Sequence, residues 1–129
     1  MTAAVVLTPI PHDVAGQVLA IALNGSLDFS NAEELRADLE SALSDDHREL
    51  VLDMTGVDFC DSTGIRVLLS VRTLLGVRGG AVTLTGLNTR LVRIFRVTGL
   101  IHAFTVCPGI AEALSTARVR LPSNPGRHG

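Results

Sequence analysis

Val51-Leu52-Asp53-Met54-Thr55-Gly56-Val57-Asp58-Phe59-Cys60-Asp61-Ser62-Thr63-Gly64-Ile65 changes its hydrophobic pattern partway along. Leu50-Val51-Leu52 is short, wholly apolar and bounded by charges, which predicts a buried strand. From Ser62 a helical pattern runs to Arg78, and Gly79-Gly80 stops it. A buried strand that leaves a sheet, crosses a short loop and enters a helix is a building unit of parallel α/β folds. It also sets the Ser62 hydroxyl at a helix N-terminus, where free backbone N–H groups and the positive end of the dipole favour an anion.

The flanking sequence continues the alternation. Upstream, Ala4-Val5-Val6-Leu7-Thr8 reads as a strand ended by Pro9 and Pro11, followed by a turn around His12-Asp13-Val14-Ala15-Gly16. Val18-Leu19-Ala20-Ile21-Ala22-Leu23 then pairs with it as a hairpin. Gly25 and Asp28 break that pattern. Ser30-Asn31-Ala32-Glu33 has the form of a capping box with Ser30 at the N-cap. Ala32, Leu35, Leu39, Ala42 and Leu43 carry the helix to about Ser44. Downstream, Ala81-Val82-Thr83-Leu84 is a strand, and Asn88 or Thr89 is placed to cap a helix facing inward through Leu91, Ile94, Phe95 and Thr98. Phe104-Thr105-Val106-Cys107 reads as a weaker strand, and Ile110, Ala113, Leu114 and Ala117 mark a last helix. The predicted order is β-β-α-β-α-β-α-β-α, an opening antiparallel pair followed by parallel crossovers.

Bulk properties bound the function. The 129 residues suit one core, and 47% apolar with 19% charged residues suits a folded domain. Four Phe with no Trp or Tyr leave no stacking platform for single-stranded nucleic acid. No run approaches the roughly 18 apolar residues of a membrane span, and Met1 to Pro9 lacks the basic start of a signal peptide. Cys60 and Cys107 are expected as free thiols in a reducing compartment, so the cytoplasm is the expected location. Val119 to Gly129 reads as a loose tail. The net charge of −2 hides a split: residues 1–61 hold twelve acids and two Arg, residues 62–129 one acid and nine Arg. That split is either a handle for a charged partner or the sum of differently solvated faces.

Other chemistries find little support. His12, His47, His102 and His128 are far apart, and no pair has metal-ligand spacing with Cys or carboxylates. Ser62 lacks the Gly-x-Ser-x-Gly elbow of a hydrolase, since position 60 is Cys, and no phosphate-binding Walker loop is present. The expectation is a protein without catalytic residues, metal or cofactor. Cys60 reads as a small core residue rather than a redox sensor. Arg90, Arg93 and Arg96 read as a solvated helix face rather than a nucleic-acid contact. On the helix beginning at Ser62, taking about 100° per residue, Arg66, Ser70 and Thr73 fall within roughly 80° of Ser62. Leu69 and Val77 intrude on that polar stripe. Spacing alone leaves two roles for Ser62: a helix N-cap, worth about 1 kcal/mol, or a phosphoacceptor acting as a switch.

Asp61-Ser62-Thr63-Gly64 resembles in full the phosphorylation loop of the STAS-domain anti-sigma factor antagonist family, an Asp-Ser-Ser/Thr-Gly run after a buried strand. Leu23-Asn24-Gly25-Ser26-Leu27-Asp28 is similar to that family's Gly-x-Leu/Ile-Asp corner. Gly79-Gly80 and the helix end Leu91-Val92-Arg93-Ile94-Phe95-Arg96-Val97-Thr98-Gly99-Leu100 fall where the family has their like. The likeness spans about residues 4–117. It implies one STAS-like α/β domain over residues 1–118, a mixed sheet of four to five strands with helices mainly on one face, and a flexible tail over 119–129. It implies that Ser62, ahead of Thr63 as a competing acceptor, takes phosphate from an ATP-dependent, histidine-kinase-like serine kinase that doubles as an anti-sigma factor. The unphosphorylated protein would bind that kinase, the phosphorylated protein would release it, and a phosphatase would reset the switch. Asp61, Thr63 and Gly64 would complete the docking loop, with Asp28, Phe29 and Ser30 alongside. Arg66 joins these partner-binding residues and marks a departure, because the family often has Gly there. No nucleic acid or membrane is implied as a partner. The alternative within the fold is a STAS module serving another scaffold, not phosphorylated at Ser62.

Overall fold

The computed structural model describes residues 5–12 and 16–121. Along the chain run β1 (Val6–Pro9), β2 (Val18–Leu27), α1 (Ala32–Ala42), β3 (Glu49–Cys60), α2 (Ser62–Val77), β4 (Ala81–Thr85), α3 (Thr89–Val97), a 3-10 turn at Leu100–His102, β5 (Thr105–Cys107) and α4 (Ile110–Arg120). The expected alternation is observed. The strands form one sheet in chain order, β1 antiparallel to β2 and every later pair parallel. Parallel neighbours need a long return path, which α1, α2 and α3 supply.

Alternation along the strands sends side chains to two unequal cores. Ile21, Leu23, Leu50, Leu52, Val82 and Leu84 face Leu35 and Leu39 of α1, Val67, Leu68, Val71 and Leu75 of α2, and Leu91 and Phe95 of α3. Each such side chain contributes on the order of 2 kcal/mol by leaving water. Among the described residues the opposite face is covered by one helix, α4, where Val18, Ala20, Val51 and Cys107 meet Ala113 and Ala117. The helices therefore lie mainly on one face, and small side chains let α4 sit close on the other.

Several boundaries differ from the sequence reading. β3 runs twelve residues instead of three. Its outer half pairs with an extension of β2 through two register shifts, between Ala22 and Asn24 and between Gly25 and Ser26. Gly25 continues the strand at φ 126° rather than ending it. Opposite Asn24 lies Gly56, where a Cβ would stand 1.8 Å from the Asn24 Oδ1. The bulged segment hides the alternation by which a strand is recognised. α4 continues through Val119 and Arg120, two residues into the expected tail, because Arg120 is anchored to Glu49. α1 ends at Ala42, and its N-cap is Asn31 instead of Ser30, without a side-chain capping bond. Ala4, the turn residues Asp13 to Ala15 and the tail residues 122–129 lie outside the described residues. Among the described residues no helix is long and apolar enough to cross a membrane.

Candidate functional site

Leu27 and Cys60 are register partners at the carboxyl ends of neighbouring parallel strands, so the loops that follow them share one corner of the sheet. Such carboxyl ends are where open α/β sheets present their binding loops. The Asp61 backbone N–H donates to the Leu27 carbonyl at 3.0 Å, fastening the end of β3 to the end of β2. The chain then turns into α2 with Asp61 as N-cap. Asp61 Oδ1 accepts from the N–H groups of Thr63 (2.8 Å) and Gly64 (3.1 Å), and Oδ2 accepts from Phe29 N–H across the corner (3.2 Å). Partial loss of water pushes the Asp61 pKa up, but the amides of Gly64, Thr63 and Phe29, with the Thr63 hydroxyl, outweigh that and hold it below 3.8. The carboxylate is ionised and already occupied.

Gly64 is set by contact rather than by flexibility. A Cβ there would lie 2.6 Å from the Leu27 carbonyl oxygen, 2.7 Å from the Leu27 Cβ and 3.0 Å from the Cys60 Sγ. Only a hydrogen lets the first turn of α2 press this closely on β2. Cys60 beneath it is buried, and desolvation, helped by the Asp61 charge, pushes its thiol up to about 12. It is a packing residue, as the sequence suggests.

Ser62 is the first residue of α2 and is exposed. Its hydroxyl makes no hydrogen bond with the described residues, and capping belongs to Asp61, so the N-cap role weighed for Ser62 is filled by its neighbour. Thr63 is half-buried and its hydroxyl leans on the Asp61 carboxylate. Arg66, one turn along, is exposed, as are Ser70 and Thr73. Gly64 is buried and offers a partner no side chain.

The adjoining corner is braced by its own side chains. Asp28 Oδ1 accepts from the Ser30 N–H (3.0 Å) and from the Ser30 hydroxyl. Asn31, buried beneath, donates through Nδ2 to the Ser26 carbonyl (2.7 Å) and accepts the Asp28 N–H (3.1 Å). Phe29, held between them, is 81% exposed. Asp28, Phe29, Ser30, Asp61, Ser62, Thr63 and Gly64 thus lie at one corner, with Arg66 a turn beyond. Two contributors were not singled out in the sequence. Asn31 organises the corner, and its spacing after Asp28 is the available signal, since Asx side chains brace local turns. Phe59, 39% exposed beside the loop, could not be read because the bulge at Gly25/Ser26 disrupts alternation. Arg90, Arg93 and Arg96 are exposed on α3, whose N-cap Asn88 also donates to the Val57 carbonyl at 3.2 Å.

Comparison with known proteins gives the corner a context. The STAS domain pattern matches residues 10–113. The chain is 30% identical over 105 residues to the putative anti-sigma factor antagonist BtrV of Bordetella bronchiseptica, covering 81% of this chain and 90% of that one. A crystal structure of an anti-sigma factor antagonist from Mycobacterium paratuberculosis superposes with a TM-score of 0.76 at 24% identity, covering 88% of this chain and 94% of that one. The same fold occurs in the murine solute carrier 26 family member A9 anion transporter, with a TM-score of 0.74 at 23% identity, 84% of this chain matching 18% of that one.

Proposed function

The chain belongs to the STAS-domain anti-sigma factor antagonist family, and from this premise we propose that it antagonises an anti-sigma factor kinase through a binding surface switched by phosphorylation of Ser62. The observation that carries the reading is the Ser62 hydroxyl: exposed, without a hydrogen-bond partner among the described residues, and first in a helix whose cap is already made by Asp61. Thr63 is the poorer acceptor because its hydroxyl is engaged with Asp61.

In the bare state the docking face offers a neutral hydroxyl, the exposed ring of Phe29, and a carboxylate whose charge is met by three amides. A partner can cover such a face at modest desolvation cost. When the kinase acts, the Ser62 Oγ bonds to the γ-phosphorus of ATP, the bond to the ADP oxygen breaks, and the hydroxyl proton leaves to a base of the kinase. The product adds roughly −2 charge beside Asp61, and burying that charge in an interface is opposed by both repulsion and desolvation. The kinase is released to hold its sigma factor, and a phosphatase restores the hydroxyl. In this reading the protein works in the cytoplasm.

Incubation with the cognate kinase and ATP, followed by intact-mass measurement, tests the reading. One addition of about 80 Da is expected on the wild type and none on Ser62→Ala. Ser62→Ala should bind the kinase constitutively and Ser62→Asp at least roughly tenfold more weakly, about 1.4 kcal/mol. Equal affinity of the two variants would defeat the switch. Absence of the mass addition would favour the other role of this fold, a module serving a different scaffold.

A further inference from the structure

Among the described residues, five arginines have partners within the fold. Arg36 pairs with Glu33 and Glu40, Arg48 donates to the Arg78 carbonyl, Arg72 to the Ala103 carbonyl, and Arg78 to the carbonyls of Ser44 and His47. Arg120 joins Glu49, Thr83 and Thr105. Arg66 is different. It is exposed on α2 and makes no hydrogen bond or ion pair with the described residues. α2 contains no Asp or Glu to serve as its counter-ion. The preceding acid, Asp61, has both oxygens taken by amides. Arg66 is an uncommitted cation four residues after the exposed, uncommitted hydroxyl of Ser62.

Resting on the reading of Ser62 as phosphoacceptor, we infer that Arg66 is the built-in counter-ion of phosphorylated Ser62, so that the phosphate folds onto its own helix. Residues four apart on a helix have Cβ atoms about 5–6 Å apart, and the order acid first, base second is the favourable one. A guanidinium meets phosphate oxygens through two parallel N–H donors, which an ammonium cannot do. The charged side chains that the corner brings beside Ser62 are Asp61 at the cap and Asp28 in the braced turn, both repelling a phosphate, with Arg66 one turn along attracting it. Phosphorylation would thus change the docking face twice. It adds an anion at Ser62 and withdraws the cation of Arg66 from any partner that uses it.

The test uses the full chain with phosphoserine incorporated at position 62 during synthesis, so no kinase is needed. The second ionisation of the phosphate is followed by phosphorus NMR in the wild type, Arg66→Gln and Arg66→Lys, at low and high salt. In Arg66→Gln the midpoint should rise by about 0.2–0.4 pH unit, the amount expected when one further negative charge meets a helical ion-pair partner. Arg66→Lys should lie between, and high salt should shrink the differences. Equal midpoints in the wild type and Arg66→Gln at low salt would overturn the pairing and leave the switch standing. A kinase that never modifies Ser62 would defeat the switch, yet the titration would still report on the pair.

Discussion

β3 has a carboxylate at each end, and the two are handled in opposite ways. Glu49 opens the strand, is 1% exposed, and is met by the Arg120 guanidinium at 2.9 Å. Asp61 follows the strand, remains half-buried, and is met only by neutral N–H groups and a hydroxyl. Burial raises the Glu49 pKa, and the Arg120 hydrogen bond and charge, with the Ala81 amide, offset that only in part. At Asp61 the amides win and the pKa falls. One end therefore closes a core by an ion pair that fastens α4 to the sheet. The other end aligns a loop while leaving its outer surface free. A strand can thus be anchored at one terminus so that the other is available for recognition.

The anchored end should give the largest stability effect. Arg120→Ala leaves Glu49 buried without its counter-charge and frees Thr83 and Thr105, so unfolding in urea should show a loss of about 3 kcal/mol. Kinase affinity at a temperature where the variant stays folded should remain within about twofold, because this network is at the far end of β3. A larger drop in affinity would break the division between anchor and docking face. Gly64→Ala ranks next. Its methyl group would press on the Leu27 carbonyl, which cannot retreat without losing the 3.0 Å bond from Asp61. A cost of about 2 kcal/mol is expected from overpacking, together with weakened docking, since the same movement displaces Ser62. Unchanged stability in Gly64→Ala would mean that the corner is looser than its contacts imply.

These two ends were unequally legible in the sequence. The Asp61-Ser62-Thr63-Gly64 loop could be read because the change from strand to helix is local, and the helix pattern from Ser62 survives in α2. The order of elements along the chain followed from alternation of short apolar runs with helical ones. The anchor could not be read, because Glu49 and Arg120 are 71 residues apart and each alone looks like an ordinary surface charge. Arg120 even fell within a stretch whose prolines suggested a tail. The outer half of β3 was hidden for another reason: two register shifts against β2 place Asp58 and Phe59, neighbours in sequence, both toward solvent. Ser30 looked like a cap because its spacing to Glu33 is right, but its hydroxyl is claimed by Asp28 two residues earlier. Spacing detects partners within a helix, and here the winning partner lay before it.

The smallest expected effect is also the sharpest contrast between the two carboxylates. Asp61→Asn keeps an Oδ1 that can cap Thr63 and Gly64 but turns an amide NH2 toward the Phe29 N–H, so the loss of that one bond should cost about 1 kcal/mol at neutral pH. The Asp61 pKa is lowered in the folded state, so its contribution is present above 3.8 and is lost as pH falls through the folded value. The stability gap between wild type and Asp61→Asn should therefore narrow on acidification below about pH 4. Glu49 has the reverse sign. Its folded pKa is raised, so its contribution is fully present below 4.5 and is lost as pH rises through the folded value. Relative to Glu49→Gln, the wild type should lose ground on going from pH 4.5 upward. Urea titrations of the three proteins between about pH 3 and 7 would thus give difference curves of opposite slope in adjacent pH windows. Two curves sloping the same way would mean that the ends of β3 share one electrostatic environment, and the separation of anchor from recognition surface would lose its physical basis.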